Sequence, residues 1–380
     1  MRSRILVLSL ALLLALSSPS QAQNPSLLPV GIEFEYSGAG KAKAIDGKAR
    51  AEFFPSILES IKAQSGGAGS VEMHPWNKFI NARNTVYATY FDSEGKEWKV
   101  MPEQVSSANF DGYEFVTPPL RDEKSFDVLT RTLEEIESKK IFVAGVQSSS
   151  HFTFDVSHLI DKNENASSLV DAILYIENHW PEIYAGINPS RYGSTVNAYA
   201  VPLMVNQKEL LNELGELPYE ARTMSKVRSV FKKYEWQELQ LVDRRLVHAW
   251  KFRAANYGKL FGLGNFQAQD LRVLEFRIPD LANAATVKRH ARLLSSVLVH
   301  GPKAEPLAKF RDRLPDLNFP EELTPNDFKT LSKRMNSVSE EQFTAFLNQL
   351  HLSRRDYPKF SIPFSEPGFC SKLWKSILKK

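Results

Sequence analysis

The chain has 380 residues and a formal net charge of +4, enough for a sizeable core in one large domain or two, with no charge excess that would call for nucleic acid as a partner. Its single cysteine, Cys370, excludes an intramolecular disulfide, so the fold must be stable through its core alone, and no catalytic signature surrounds that residue.

Residues 1–22 read as a leader rather than as part of the fold. Met1-Arg2-Ser3-Arg4 is basic, residues 5–16 are apolar but too few to span a bilayer, and Ser20-Gln21-Ala22 offers small residues for cleavage. This pattern predicts a secretory signal peptide cut after Ala22 and a secreted or periplasmic protein, with an uncleaved membrane anchor as the alternative. Removing 22 of the 380 residues leaves about 358, and the loss of Arg2 and Arg4 lowers the formal charge from +4 to +2. No cysteine follows the apolar run, which argues against a lipoprotein. No later stretch is long and apolar enough for stable membrane insertion.

In chain order, residues 31–36 alternate as a strand, and the glycine-containing loop after them lacks the spacing of a phosphate-binding loop. Residues 53–63 have helical periodicity, with Phe53, Phe54, Ile57, Leu58 and Ile61 on one face, and 65–70 form a Gly/Ser loop. Strands are predicted over 85–92, 98–102 and 113–117, the last ended by Pro118-Pro119. A helix over 125–138 precedes a strand over 151–156. Helices follow over 168–177, 208–214 and 225–250, then a strand over 271–279 and a helix over 284–300. The strands and helices intermingle without regular alternation. That predicts an α+β fold with a largely antiparallel sheet, helices on its apolar face and a charged inner face. The ionisable strands span residues 33–277 and must share one domain, placed at 23–302. Residues 303–380 read as a helical C-terminal appendage.

The charged positions carry the functional reading. Glu33 and Glu35 flank Phe34, Glu114 lies between Tyr113 and Phe115, and His151 shares a strand face with Thr153 and Asp155. Glu275 and Arg277 flank Phe276. In a strand, residues two apart point to the same face, so each segment would show apolar side chains on one side and ionisable ones on the other. Any one of these pairs suits a solvated strand face. Together they suit a sheet that holds a charged ligand, with metal–phosphate the leading candidate. Carboxylates would ligate magnesium, His151 would contact metal or phosphate, and a planar guanidinium would grip a phosphate oxygen. Gly31, with no side chain, permits close approach of a ligand or of another backbone. His158 and His179 lack this setting and read as structural.

The order Gly31-x-Glu33-x-Glu35, Trp98-Lys99-Val100, residues 112–120, Ser150-His151-Phe152-Thr153-Phe154-Asp155 and Glu275-Phe276-Arg277 resembles the amidoligase family, carboxylate–amine ligases with a glutamine-synthetase-like catalytic fold. The resemblance covers roughly residues 31–280. It implies metal binding by Glu33, Glu35, Glu114, His151 and Glu275, and catalysis through Arg277, Glu33 and Glu275. It also implies cofactor contacts from Arg277, His151, Arg191 and Asn256. The cofactors would be Mg2+ and ATP, and the partners a small-molecule or peptide carboxylate and an amine joined through an acyl phosphate. The sequence departs from the family in having Thr153 where a second histidine is usual. It offers only Glu103 where the family tends to have Asp-x-Ser. Export to a compartment with little ATP leaves two other readings open: a binding module for a peptide or peptidoglycan-type ligand, and an ATP-independent, metal-dependent hydrolase or transferase on the same scaffold.

Overall fold

The computed structural model describes residues 27–37, 47–67, 69–75, 86–103, 112–140, 148–187, 207–235, 239–242, 245–248, 254–263, 272–278, 281–304, 333–334 and 336–360. The predicted leader, Arg191, Cys370 and the loop after residue 37 lie outside these residues.

Strand β1 (Val30–Ser37) is followed by helix α1 (Gly47–Ser65) and strands β2 (Val71–Pro75), β3 (Val86–Phe91), β4 (Glu97–Glu103) and β5 (Gly112–Val116). Then come α2 (Glu123–Lys139), β6 (Ser149–Asp155), α3 (Ser167–Asn178), α4 (Trp180–Ile187), α5 (Lys208–Glu216) and α6 (Met224–Lys233). A hairpin of β7 (Leu239–Val242) and β8 (Arg245–His248) precedes β9 (Ala255–Asn256), the short helix α7 (Tyr257–Phe261) and β10 (Val273–Ile278). Helices α8 (Val287–Ala304) and α9 (Glu340–Gln349) complete the described chain.

Eight strands form one sheet in the order β2-β3-β4-β5-β1-β6-β10-β9, with every pairing antiparallel. This is the expected α+β architecture, and β1 lies near its middle. Alternation divides the side chains. Ile32, Phe34 and Tyr36 of β1 are buried together with Phe115, Phe152, Phe154, Leu274 and Phe276 from the neighbouring strands. Phe34 stacks on Phe115 with ring centroids 5.7 Å apart. Helices cover this face: Phe54 of α1 meets Tyr113 edge-on at 5.6 Å, Trp180 of α4 meets Phe276 at 6.3 Å, and His290 of α8 meets Phe152 at 6.3 Å. Each such aromatic contributes about 2–3 kcal/mol by leaving water. Behind them α3 and α8 pack so closely that a Cβ on Gly301 would come within 2.4 Å of the Tyr175 ring.

The described part of the C-terminal region shares this core. A capping box between Ser339 and Gln342 starts α9, which buries Phe343, Phe346 and Leu347. Phe346 stacks on His179 at 5.6 Å, and the Tyr357 hydroxyl donates to the Arg289 carbonyl at 3.2 Å. Among the described residues, no helix is long and apolar enough to cross a membrane.

The structure corrects one expected helix. The helix predicted over 225–250 stops at Lys233, and the β7–β8 hairpin takes its place. The run Leu239-Gln240-Leu241-Val242 is short, mostly apolar and ends on a β-branched residue, which suits a strand as well as a helix. Three elements were not foreseen: the exposed edge strand β2, α4, and the β9–α7 unit.

Candidate metal centre on the charged sheet face

Strand register brings the ionisable residues together. Glu33 of β1 pairs with His151 of β6, which pairs with Arg277 of β10. The next row along the sheet runs Gly31, Thr153, Glu275 and Asn256 across β1, β6, β10 and β9. On the opposite side of the Glu33 row, Glu35 lies between Glu114 of β5 and Ser149 of β6. One sheet face thus collects Glu33, Glu35, Glu114, His151, Glu275, Arg277 and Asn256, all named from the sequence.

The tightest group is Glu33, His151 and Glu275, whose donor atoms all lie within 4.8 Å of one another. Nδ1 of His151 is 3.2 Å from Glu33 Oε2 and 3.5 Å from Glu275 Oε1. Its other nitrogen, Nε2, is 3.4 Å from Glu35 Oε2 and 3.2 Å from Ser149 Oγ. Ser149 Oγ in turn donates to Glu35 at 2.7 Å. This arrangement suits an imidazole that ligates through Nδ1 while Nε2–H is oriented by a carboxylate behind it. Glu35 therefore stands beside the converging triad and orients its imidazole. Glu114 sits beyond Glu35 in the register, where its charge acts on Arg277.

Glu275 is fully buried and heavily engaged. Arg277 donates to Oε1 at 3.1 Å, while Asn256 Nδ2 and Lys259 Nζ approach Oε2 at 2.8 and 2.9 Å. Burial alone would push the Glu275 carboxyl up, but the charges of Arg277, His151 and Lys259 outweigh it and hold it at about 2. Glu33 behaves alike: burial raises its carboxyl, and the His151 hydrogen bond brings it below the ordinary value against repulsion from Glu275. Burial also opposes the charge on Lys259, yet Glu275 and Glu33 raise its ammonium above the usual lysine value. All three groups are charged at neutral pH.

Lys259 is the residue that sequence reasoning missed. Asn256 caps α7 by accepting from the Lys259 backbone N–H at 3.3 Å, so one side chain both starts the helix and holds Glu275. Tyr257 anchors the same turn by donating to the buried Glu177 of α3 at 2.8 Å. The available signal was an asparagine three residues before a lysine. Asn256, expected to touch a cofactor, here positions Glu275 and α7.

The donor set fits a divalent cation. Two carboxylates and an imidazole converge, and hard oxygen ligands suit Mg2+, while the imidazole also suits Mn2+ or Zn2+. Charge points the same way: the carboxylates of Glu33 and Glu275 converge here with those of Glu35 and Glu114 further along the register, beside the cations Arg277 and Lys259. Arg277 and Lys259 are the cations beside the triad that could meet an anionic group.

No protein family matches the sequence, and no curated protein matches it either. A solved structure described as a novel glutamine synthase homolog is similar at 17% identity and a TM-score of 0.35. The match covers 86% of this chain and 65% of that one, so this chain spans less than two thirds of that protein's length.

Proposed function

We propose that the charged sheet face is the catalytic centre of an ATP- and Mg2+-dependent carboxylate–amine ligase, which forms an amide bond through an acyl phosphate on an amino acid, peptide or cell-wall fragment. The observation that carries this reading is the convergence of Glu33, His151 and Glu275 within 4.8 Å, with a half-buried arginine and lysine beside them. Glu33, His151 and Glu275 would hold the metal. When bound, the ion would offset the negative charge that builds on the transferred phosphoryl group.

The chain's own groups would do the rest. Glu275 fixes the Arg277 guanidinium through NH1, while NH2 is engaged only loosely, 3.8 Å from Glu35. That leaves one edge of the planar fork for a phosphoryl oxygen. Glu35 and Ser149 hold the His151 ring in plane, and Asn256 holds the second oxygen of Glu275. Because these groups are already paired, little reorganisation accompanies charge development.

The basic and apolar leader favours a second reading. A mature chain outside the cytoplasm would meet little ATP, and the same centre would then serve ATP-independent, metal-dependent hydrolysis or transfer, or ligand binding alone. Calorimetric titration of the purified protein with a non-hydrolysable ATP analogue and Mg2+ separates the two. Micromolar binding lost in Glu33→Gln supports the ligase. Metal uptake without nucleotide binding overturns it in favour of the second reading.

A further inference from the structure

We infer that Gly31, Thr153 and Lys259 form a pocket for an oxyanion, a carboxylate or a phosphate, beside the metal triad; the inference deepens the ligase reading by making the group that docks there an anion. Three independent features meet at this point of the sheet.

The first is an unpartnered donor. Thr153 Oγ1 is buried and, among the described residues, has no hydrogen-bond partner. A hydroxyl left so is destabilising unless a ligand meets it. Its place in the register is between Gly31 on one side and Glu275 on the other, two residues from His151 on the same strand.

The second is room. Gly31 sits inside β1, where glycine weakens a strand and offers nothing to pack. Its φ is not in the left-handed region, so the backbone does not require glycine. Among the described residues, a Cβ built there meets nothing nearer than the Thr153 carbonyl oxygen at 4.0 Å. Among the described residues the space a side chain would fill is therefore open, on the strand next to the one that carries the orphan hydroxyl.

The third is charge. Lys259 reaches over from α7 to Glu275 at 2.9 Å, and its ammonium also acts on Glu33. Glu275 pairs across the strands with Thr153, and Glu33 lies two residues from Gly31, so the ammonium serves the same corner. An ammonium has three donors, and the carboxylate of Glu275 takes one. The remaining donors and the Thr153 hydroxyl suit an anion's oxygens, and Gly31 gives those oxygens space. Arg277 lies in the neighbouring row, so two anionic groups could be held side by side, one by each cation.

The test is calorimetric titration of the full protein with inorganic phosphate and, separately, with succinate, each with Mg2+ present, for wild type, Gly31→Val and Thr153→Val. Circular dichroism and the thermal midpoint confirm that each variant folds. The expected result is anion uptake by wild type that falls about tenfold or more in both variants, while Mg2+ affinity changes less than about threefold. Whichever anion binds more tightly identifies the source, substrate carboxylate or phosphate. Equal anion uptake in all three proteins, or none by wild type at millimolar concentration, overturns the pocket. Failure of the ligase reading looks different: anion uptake that depends on Gly31 persists, but no nucleotide analogue binds.

Discussion

Strand β1 sends Ile32, Phe34 and Tyr36 to one side of the sheet and Gly31, Glu33 and Glu35 to the other. On the first side each residue stabilises the fold by leaving water, and another apolar group of similar volume would do nearly as well. On the second side no residue is useful alone. Glu275 is tolerable in the interior because Arg277, Lys259, Asn256 and His151 all address it. The difference separates a face selected for burial from a face selected for what its charges do together, and single substitutions should report it.

The largest effect should come from the apolar side. Phe34→Ala removes a fully buried ring stacked on Phe115 and should cost about 4 kcal/mol in urea unfolding, while metal affinity of the folded fraction stays near wild type. If Phe34→Ala abolished metal binding in folded protein, the two faces would not be separable. Glu275→Gln should cost about 3 kcal/mol, because it leaves the half-buried Arg277 and Lys259 without their nearest counter-charge. It should also remove metal uptake, which Phe34→Ala should not. A Glu275→Gln protein as stable as wild type would mean that the cations escape to solvent when the charge goes.

The sequence made the face legible and the corner of it illegible. Alternation around Phe34, Phe152 and Phe276 was enough to place Glu33, Glu35, His151, Glu275 and Arg277 on one side, because period two is a property of the strand itself. Register was not available from periodicity, so the opposition of Glu33, His151 and Arg277 had to come from the folded sheet. Lys259 was invisible because it sits on a five-residue helix whose contact with Glu275 is made by the tertiary fold. The hairpin at 239–248 was hidden by leucines and valines that satisfy a helical pattern loosely. The edge strand β2 was hidden by its shortness and by a run that leaves Glu72 and Met73 exposed.

A smaller effect should appear in acid, and it should trace to the apolar side. His290 of α8 packs edge-on against Phe152, directly behind the strand that carries His151. Burial and the nearby Arg289 charge lower its imidazole to about 3, against an opposing interaction with the Ile187 backbone. Its folded value lies below the unfolded one, so its contribution is present above about pH 6.5 and is lost as the pH falls toward the folded value. Between about pH 6.5 and pH 5 the loss should be about 2 kcal/mol. His290→Met, which keeps the space filled, should flatten that part of the stability profile. An unchanged profile in the variant would place the acid sensitivity on other groups.

The smallest change in stability should carry the opposite sign. Gly31→Val replaces a strand-interior glycine by a β-branched residue at a position with no steric conflict and no need for a left-handed backbone. It should stabilise the protein by about 0.5–1 kcal/mol, read as a higher midpoint in urea. The same substitution should close the space beside Thr153 and weaken anion binding. A glycine kept where valine would make a better strand is a sign that the position serves something other than the fold. If Gly31→Val destabilised the protein, the glycine would be there for packing, and the contrast between the two faces of β1 would fail at its first residue.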